Sequence, residues 1–159
     1  MILLTTRLKS SNCSIRTGTM YEITNNLYYG DIESASDTQQ CREYGISHII
    51  QLTYERPDSG YPDDAEIHTF SMMDGPRNNE AVFQNAVSKI VELLDRRATV
   101  LVHCSAGRSR STCVSAAALA RSDSISFEQA IGHVRSAGPV NAHEALLLHG
   151  KNAVDQPST

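Results

Sequence analysis

No stretch of this 159-residue chain is apolar for long enough to cross a bilayer, and no segment is repeated or of low complexity. The four cysteines, at positions 13, 41, 104 and 113, lack the spacing of a disulfide framework. That suits a reducing compartment, and the cytoplasm is the expected location. The six histidines form no ligand pattern along the chain. His143-Glu144 lacks a second histidine four positions after the first, which excludes a zinc-peptidase helix, and no metal or other cofactor is expected. An excess of positive charge is also missing. With a net charge of −4, bulk nucleic-acid binding is not expected. The opening Met1-Ile2-Leu3-Leu4-Thr5-Thr6-Arg7 is too short in its apolar part for a signal peptide, and its charge is on the wrong side. The C-terminus carries no prenylation box, so no membrane association is expected.

What the chain does have is concentrated in one turn, His103-Cys104-Ser105-Ala106-Gly107-Arg108-Ser109-Arg110-Ser111. The preceding Ala98-Thr99-Val100-Leu101-Val102 is short, apolar and β-branched and reads as a buried strand. The following Thr112 to Ala120 is rich in small residues and reads as a buried helix. A loop that wraps into a helix N-terminus turns backbone N–H groups toward one point, where the helix dipole adds positive charge. The amides of Ser105, Ala106, Gly107, Arg108 and Ser109 are therefore candidate phosphate donors. Gly107 allows backbone angles that a side chain would forbid. Arg110 offers a planar fork able to hold two phosphate oxygens. Cys104 would aim its sulfur at the phosphorus, and the same positive field favours its thiolate. Ser111 can donate a hydrogen bond to that sulfur and ease its departure. His103 is expected to orient the loop through a ring N–H bond to backbone carbonyls.

The pattern His-Cys-x-x-Gly-x-x-Arg-Ser/Thr resembles the active-site loop of cysteine-dependent protein phosphatases. The fuller Cys-Ser-Ala-Gly-Arg-Ser-Arg-Ser is most similar to the dual-specificity branch. The resemblance implies two-step hydrolysis of phosphate monoesters through a phosphocysteine, with an aspartic acid on a separate loop as general acid. Glu66 to Met72 alternates apolar and polar residues and predicts a strand, Asp74-Gly75-Pro76 a loop, and Asn79 to Arg96 an amphipathic helix with Phe83, Val87, Ile90 and Leu94 on one stripe. Asp74 thus occupies the strand-to-helix loop where this family carries its acid. Tyr61-Pro62-Asp63 resembles the Trp-Pro-Asp of larger tyrosine-specific enzymes, but it precedes the strand and is read as a turn. The Asn26-Leu27-Tyr28-Tyr29-Gly30 run is similar to the family's opening strand pair, and Gly45 to Leu52 to its central strand. A helix is predicted from Ser36 to Tyr44.

The expected architecture is α/β, a central, mostly parallel twisted sheet with helices on both faces. Residues 21–150 form the catalytic domain in this reading. Residues 1–20 are a flexible leader or precede a start at Met20, and residues 151–159 are a frayed tail. Ser126 with Gln129 predicts a capping box for a helix to Ala137. Asn141 with Glu144 predicts another, ending at Gly150. The expected substrate is a phosphoprotein or phosphopeptide and the expected state a monomer. Arg108 leaves open a polyanionic small molecule, a phosphoinositide or inositol phosphate, or an RNA 5′ end. A non-catalytic phosphate-binding module and a sulfurtransferase would use a similar cysteine loop, the latter with one residue fewer between cysteine and arginine.

Overall fold

The computed structural model describes residues 18–155. The predicted leader up to Gly18, with Cys13, and the last four residues of the predicted tail lie outside them. Five strands, β1 (Met20–Thr24), β2 (Leu27–Gly30), β3 (His48–Gln51), β4 (Glu66–Thr69) and β5 (Val100–His103), form one sheet in the order β1-β2-β5-β3-β4. Only the β1–β2 pair is antiparallel; β2–β5, β5–β3 and β3–β4 are parallel, as the pattern of strands alternating with helices predicts. β5 is therefore central, hydrogen-bonded on both edges and buried along its whole length.

The two faces of the sheet are covered unequally. Leu27, Tyr29, Ile50, Val100 and Val102 point into a large core closed by α2 (Glu80–Asp95), α3 (Arg110–Asp123), α4 (Phe127–Ala137) and α5 (Glu144–Asp155). The alternate residues Tyr28, Ile49 and Leu101 point into a smaller core with Ala35, Cys41 and Ile46, covered by a 3₁₀ turn (Ser34–Ser36) and α1 (Thr38–Glu43). Helices thus lie on both faces. No helix among the described residues is long and apolar enough to cross a membrane.

The starts of α1, α2 and α4 are set by side-chain caps. Asn79 Oδ1 accepts from the backbone N–H groups of Ala81 and Val82, and Ser126 with Gln129 forms the predicted reciprocal box. The helix expected over 36–44 is split, because the Asp37 side chain accepts from Gln40 N–H at 3.0 Å and starts α1 afresh. On α2 the fully buried fourth residue of the stripe is Leu93, and Leu94 is only partly covered.

The last helix corrects the expected frayed tail. α5 begins at Glu144, with His143 Nδ1 accepting from Ala145 N–H at 3.0 Å, so Asn141 is not its cap. It runs through Gly150 to Asp155. Gly150 is buried under the ring of Phe127, where a Cβ would collide, so this glycine permits close helix packing instead of ending the helix.

Candidate active site

The carboxyl ends of β5, β3 and β2 converge on one loop, Cys104 to Ser109, between β5 and α3. Gly107, with φ of +73°, fixes its path: a Cβ there would stand 2.6 Å from the Gly30 carbonyl carbon and 2.7 Å from the Asp31 nitrogen. The loop carbonyls are tied off from outside. Ser105 O accepts from Ile32 N–H at 3.1 Å, Arg108 O from Asn141 N–H at 2.8 Å, and Ser109 O from the Thr112 hydroxyl at 2.7 Å. Carbonyls held outward turn their companion amides toward the loop's centre, the arrangement of an anion-binding nest.

Cys104 is 2% exposed at the base of the loop. Its Sγ accepts the backbone N–H of Ser111 at 3.4 Å and lies 3.3 Å from Ser111 Oγ, which is fully buried. Arg110 opens α3 and donates from Nη1 to the Met72 carbonyl at 3.0 Å, while its buried Nε has no partner among the described residues. A buried guanidinium N–H left open is costly unless an anion takes it. Ser105, Ala106 and Arg108 are exposed at the rim.

Asp74 reaches this rim from the loop after β4. Its Oδ1 accepts from the Ser109 hydroxyl at 2.7 Å, and Ser109 Oγ in turn accepts from His143 N–H at 3.3 Å. The Asp74 loop is braced by Asn78, whose amide donates to the Met73 carbonyl at 2.7 Å and whose Oδ1 is 2.8 Å from His149 Nδ1. Gly75 has φ of +90° and faces the His143 ring. The sequence placed Ser109 only among the phosphate donors; its hold on Asp74, and the parts played by Asn78, His143 and His149, leave no local signal because the partners are far apart in the chain.

His103 is fully buried, with one ring nitrogen at a backbone carbonyl and the other at a side chain from another loop. Nε2 is 2.8 Å from the hydroxyl of Tyr61, whereas Nδ1 is 3.3 Å from the Cys104 carbonyl. The Gln51 amide donates to the Thr53 carbonyl at 2.9 Å, so Gln51 Oε1 takes the single Tyr61 proton at 2.6 Å. Burial holds the His103 pKa down to about 4, against the opposing pull of the Cys104 carbonyl, so the ring is neutral at pH 7. Tyr61, read from sequence as part of a turn, is thus a support of the loop. Its hydroxyl pKa is raised by burial.

A family model for the dual specificity phosphatase catalytic domain matches residues 27–146. Dual specificity protein phosphatase 1 of Arabidopsis thaliana is 32% identical over 128 residues, covering 79% of this chain and 64% of the relative. The next curated relative, dual specificity protein phosphatase PHS1 of the same plant, is covered over 16% of its length, so the chain spans less than two thirds of each. The fold is similar to that of human DUSP28, with a TM-score of 0.77, 19% identity, and coverage of 85% of this chain and 95% of that one. It is also similar to PTPMT1 in complex with PI(5)P, with a TM-score of 0.68, 21% identity, and coverage of 84% and 94%. With a family model matching most of its described length around the Cys104 loop, this chain belongs to the dual specificity phosphatase family and carries that family's catalytic domain.

Proposed function

We propose that this domain hydrolyses phosphate monoesters of proteins through a phosphocysteine at Cys104, with Asp74 as general acid and base. The observation that carries the reading is the 2.7 Å Ser109–Asp74 bond, which brings a carboxyl group to the rim of the loop whose base holds the sulfur. In the first step the Cys104 thiolate forms a bond to phosphorus. The ester P–O bond breaks, and Asp74 gives its proton to the leaving oxygen. In the second step Asp74 takes a proton from water, the water oxygen attacks phosphorus, and the S–P bond breaks to return thiolate and inorganic phosphate. The Ser111 N–H and hydroxyl stabilise sulfur as it leaves. The loop amides of Ser105 to Ser109 and the Arg110 fork hold the phosphoryl oxygens, and Arg110 Nε gains its missing acceptor.

A phosphoprotein fits better than a polyanionic small molecule. Beside Ile32, whose N–H is bonded to Ser105 O, opens a cavity of about 540 Å³ lined by Glu33, Asp37, Glu55 and Asp58 with Arg56. Those carboxylates oppose a ligand with several phosphates and favour a chain segment with basic residues. The exposed Arg108, together with the likeness to PTPMT1 in complex with PI(5)P, supports the second reading. An Arg108→Ala change that weakens hydrolysis of an inositol phosphate but not of a phosphotyrosine peptide would favour it. Burial pushes the thiols of Cys41 and Cys113 up to about 12, which leaves them inert and fits a reducing compartment such as the cytoplasm; we take the working unit to be a monomer.

The deciding experiment is hydrolysis of para-nitrophenyl phosphate in reducing buffer without metal, with wild type beside Cys104→Ser. Activity that falls to background in a folded variant supports the phosphocysteine route. Equal activity in both overturns it.

A further inference from the structure

At the opposite end of the sheet from the cysteine loop, three side chains converge that the phosphatase reaction does not use. His48 begins β3, and Glu66 and His68 lie on β4. The parallel register pairs His48 with Glu66 and Ile50 with His68, so alternation places all three side chains on one face of two adjacent strands. His48 Nδ1 is 3.0 Å from His68 Nε2, and Glu66 Oε2 is 3.6 Å from the same nitrogen. One donor atom from each residue lies within 4.8 Å of the others.

These spacings are those of ligands around a common ion. A tetrahedral zinc ion with bonds of about 2.0–2.1 Å separates its donors by about 3.3 Å. The two observed separations straddle that value. We propose that His48, His68 and Glu66 form a binding site for a divalent transition-metal cation of the zinc type. Two imidazoles and one carboxylate are a donor set suited to that class, with solvent or a further ligand completing the shell from the Glu66 side. His48 and His68 are half-buried and held by the strands, with the His68 side chain 13% exposed, whereas the Glu66 side chain is 68% exposed and free to adjust. The rings are also stacked, with centroids 5.3 Å apart.

The surrounding charges allow binding. Lys89 and Glu92 on α2 both act on His68 with opposite sign, and they pair with each other at 3.4 Å. Burial lowers the His68 pKa, the direction that favours the neutral imidazole. A simple His–His hydrogen bond would account for the 3.0 Å contact without a cation. It would give Glu66 no share in binding, and that separates the two readings.

The test is calorimetric titration of Zn²⁺ into the full chain carrying Cys104→Ser, which removes the thiolate as a rival ligand. One equivalent should bind. His48→Ala and His68→Ala should each weaken binding by at least the roughly 10–100-fold that loss of an outer partner of a metal ligand costs, and Glu66→Gln by less. Thermal melts without metal check that each variant is folded. In the chain with both histidines intact, Zn²⁺ should also protect His48 and His68 from diethyl pyrocarbonate, read residue by residue by mass spectrometry. Binding that is unchanged in the folded histidine variants, no binding at all, or unprotected histidines at saturating Zn²⁺ would each overturn the site.

Discussion

The two loops that meet at the active site are held in opposite ways. The cysteine loop is fixed by backbone: Gly107 is wedged against Gly30 and Asp31, and its carbonyls are spent on Ile32, Asn141 and Thr112. The Asp74 loop is fixed by side chains, through one bond from Ser109 and the brace of Asn78. Backbone wedging makes a receptor whose shape does not depend on its ligand, as a nest for phosphate requires. In the proposed mechanism, side-chain tethers would let Asp74 be released and re-engaged between the two proton transfers.

The pair of glycines gives the sharpest way to break this contrast. Gly107→Ala should reduce activity to background, because a Cβ would meet backbone that cannot yield and the left-handed φ is strained as well. Gly75→Ala should be far milder, since its nearest neighbour is the His143 ring at 3.6 Å; the left-handed φ alone costs roughly 1 kcal/mol. Parallel kcat/KM values and melts would show the difference, and equal losses would refute it. Next in size, Asp74→Asn should lower kcat by roughly 10²–10⁴-fold on an alkyl phosphate and less on para-nitrophenyl phosphate, whose leaving group needs little protonation. Ser109→Ala should cost roughly 2–10-fold in kcat, the worth of one hydrogen bond, with the Cys104 thiol still alkylated by iodoacetate at the wild-type rate. The last prediction concerns stability and His103. Its folded pKa near 4 lies below the ordinary value of about 6.5, so on acidification the unfolded chain takes the proton first. Stability should therefore be lost as pH falls from about 6.5 through about 4, with a slope of at most about 1.4 kcal/mol per pH unit. A folded His103→Asn variant should show a flatter melting profile across that window.

Much of this site was legible because it is local. Cys104, Gly107, Arg110 and Ser111 occupy one strand-loop-helix turn, and the periodicities on either side announce the elements that hold it. Asp74 was singled out by its place after a strand, and the structure sets it beside Ser109 at the loop; its role is what the resemblance implies. Tyr61 was rightly placed at a turn before β4, but its hydrogen bonds left no signal for the opposite reason: its partners, Gln51 and His103, come from two different strands, and only parallel pairing brings them together. The same holds for His48 and His68, whose twenty-residue separation hides a diagonal adjacency across the parallel β3–β4 register that no ligand spacing along the chain announces. Gly150 followed the rule for a helix end, but the rule omits the ring of Phe127, against which a glycine is needed inside the helix.

The strand order has a consequence for how the enzyme fails. β5 is bonded on both sides and fully buried, so its amides can exchange with solvent only through openings close to global unfolding. β4, which leads to Asp74, is an edge strand bonded only to β3, and its ends are exposed. On warming, Asp74, the proton donor of the proposed mechanism, should therefore loosen before Cys104 does. Just below its melting temperature the enzyme would keep a reactive Cys104 and a formed phosphate loop, turning over aryl phosphates while already losing alkyl phosphates. Heat would narrow its specificity before abolishing its activity.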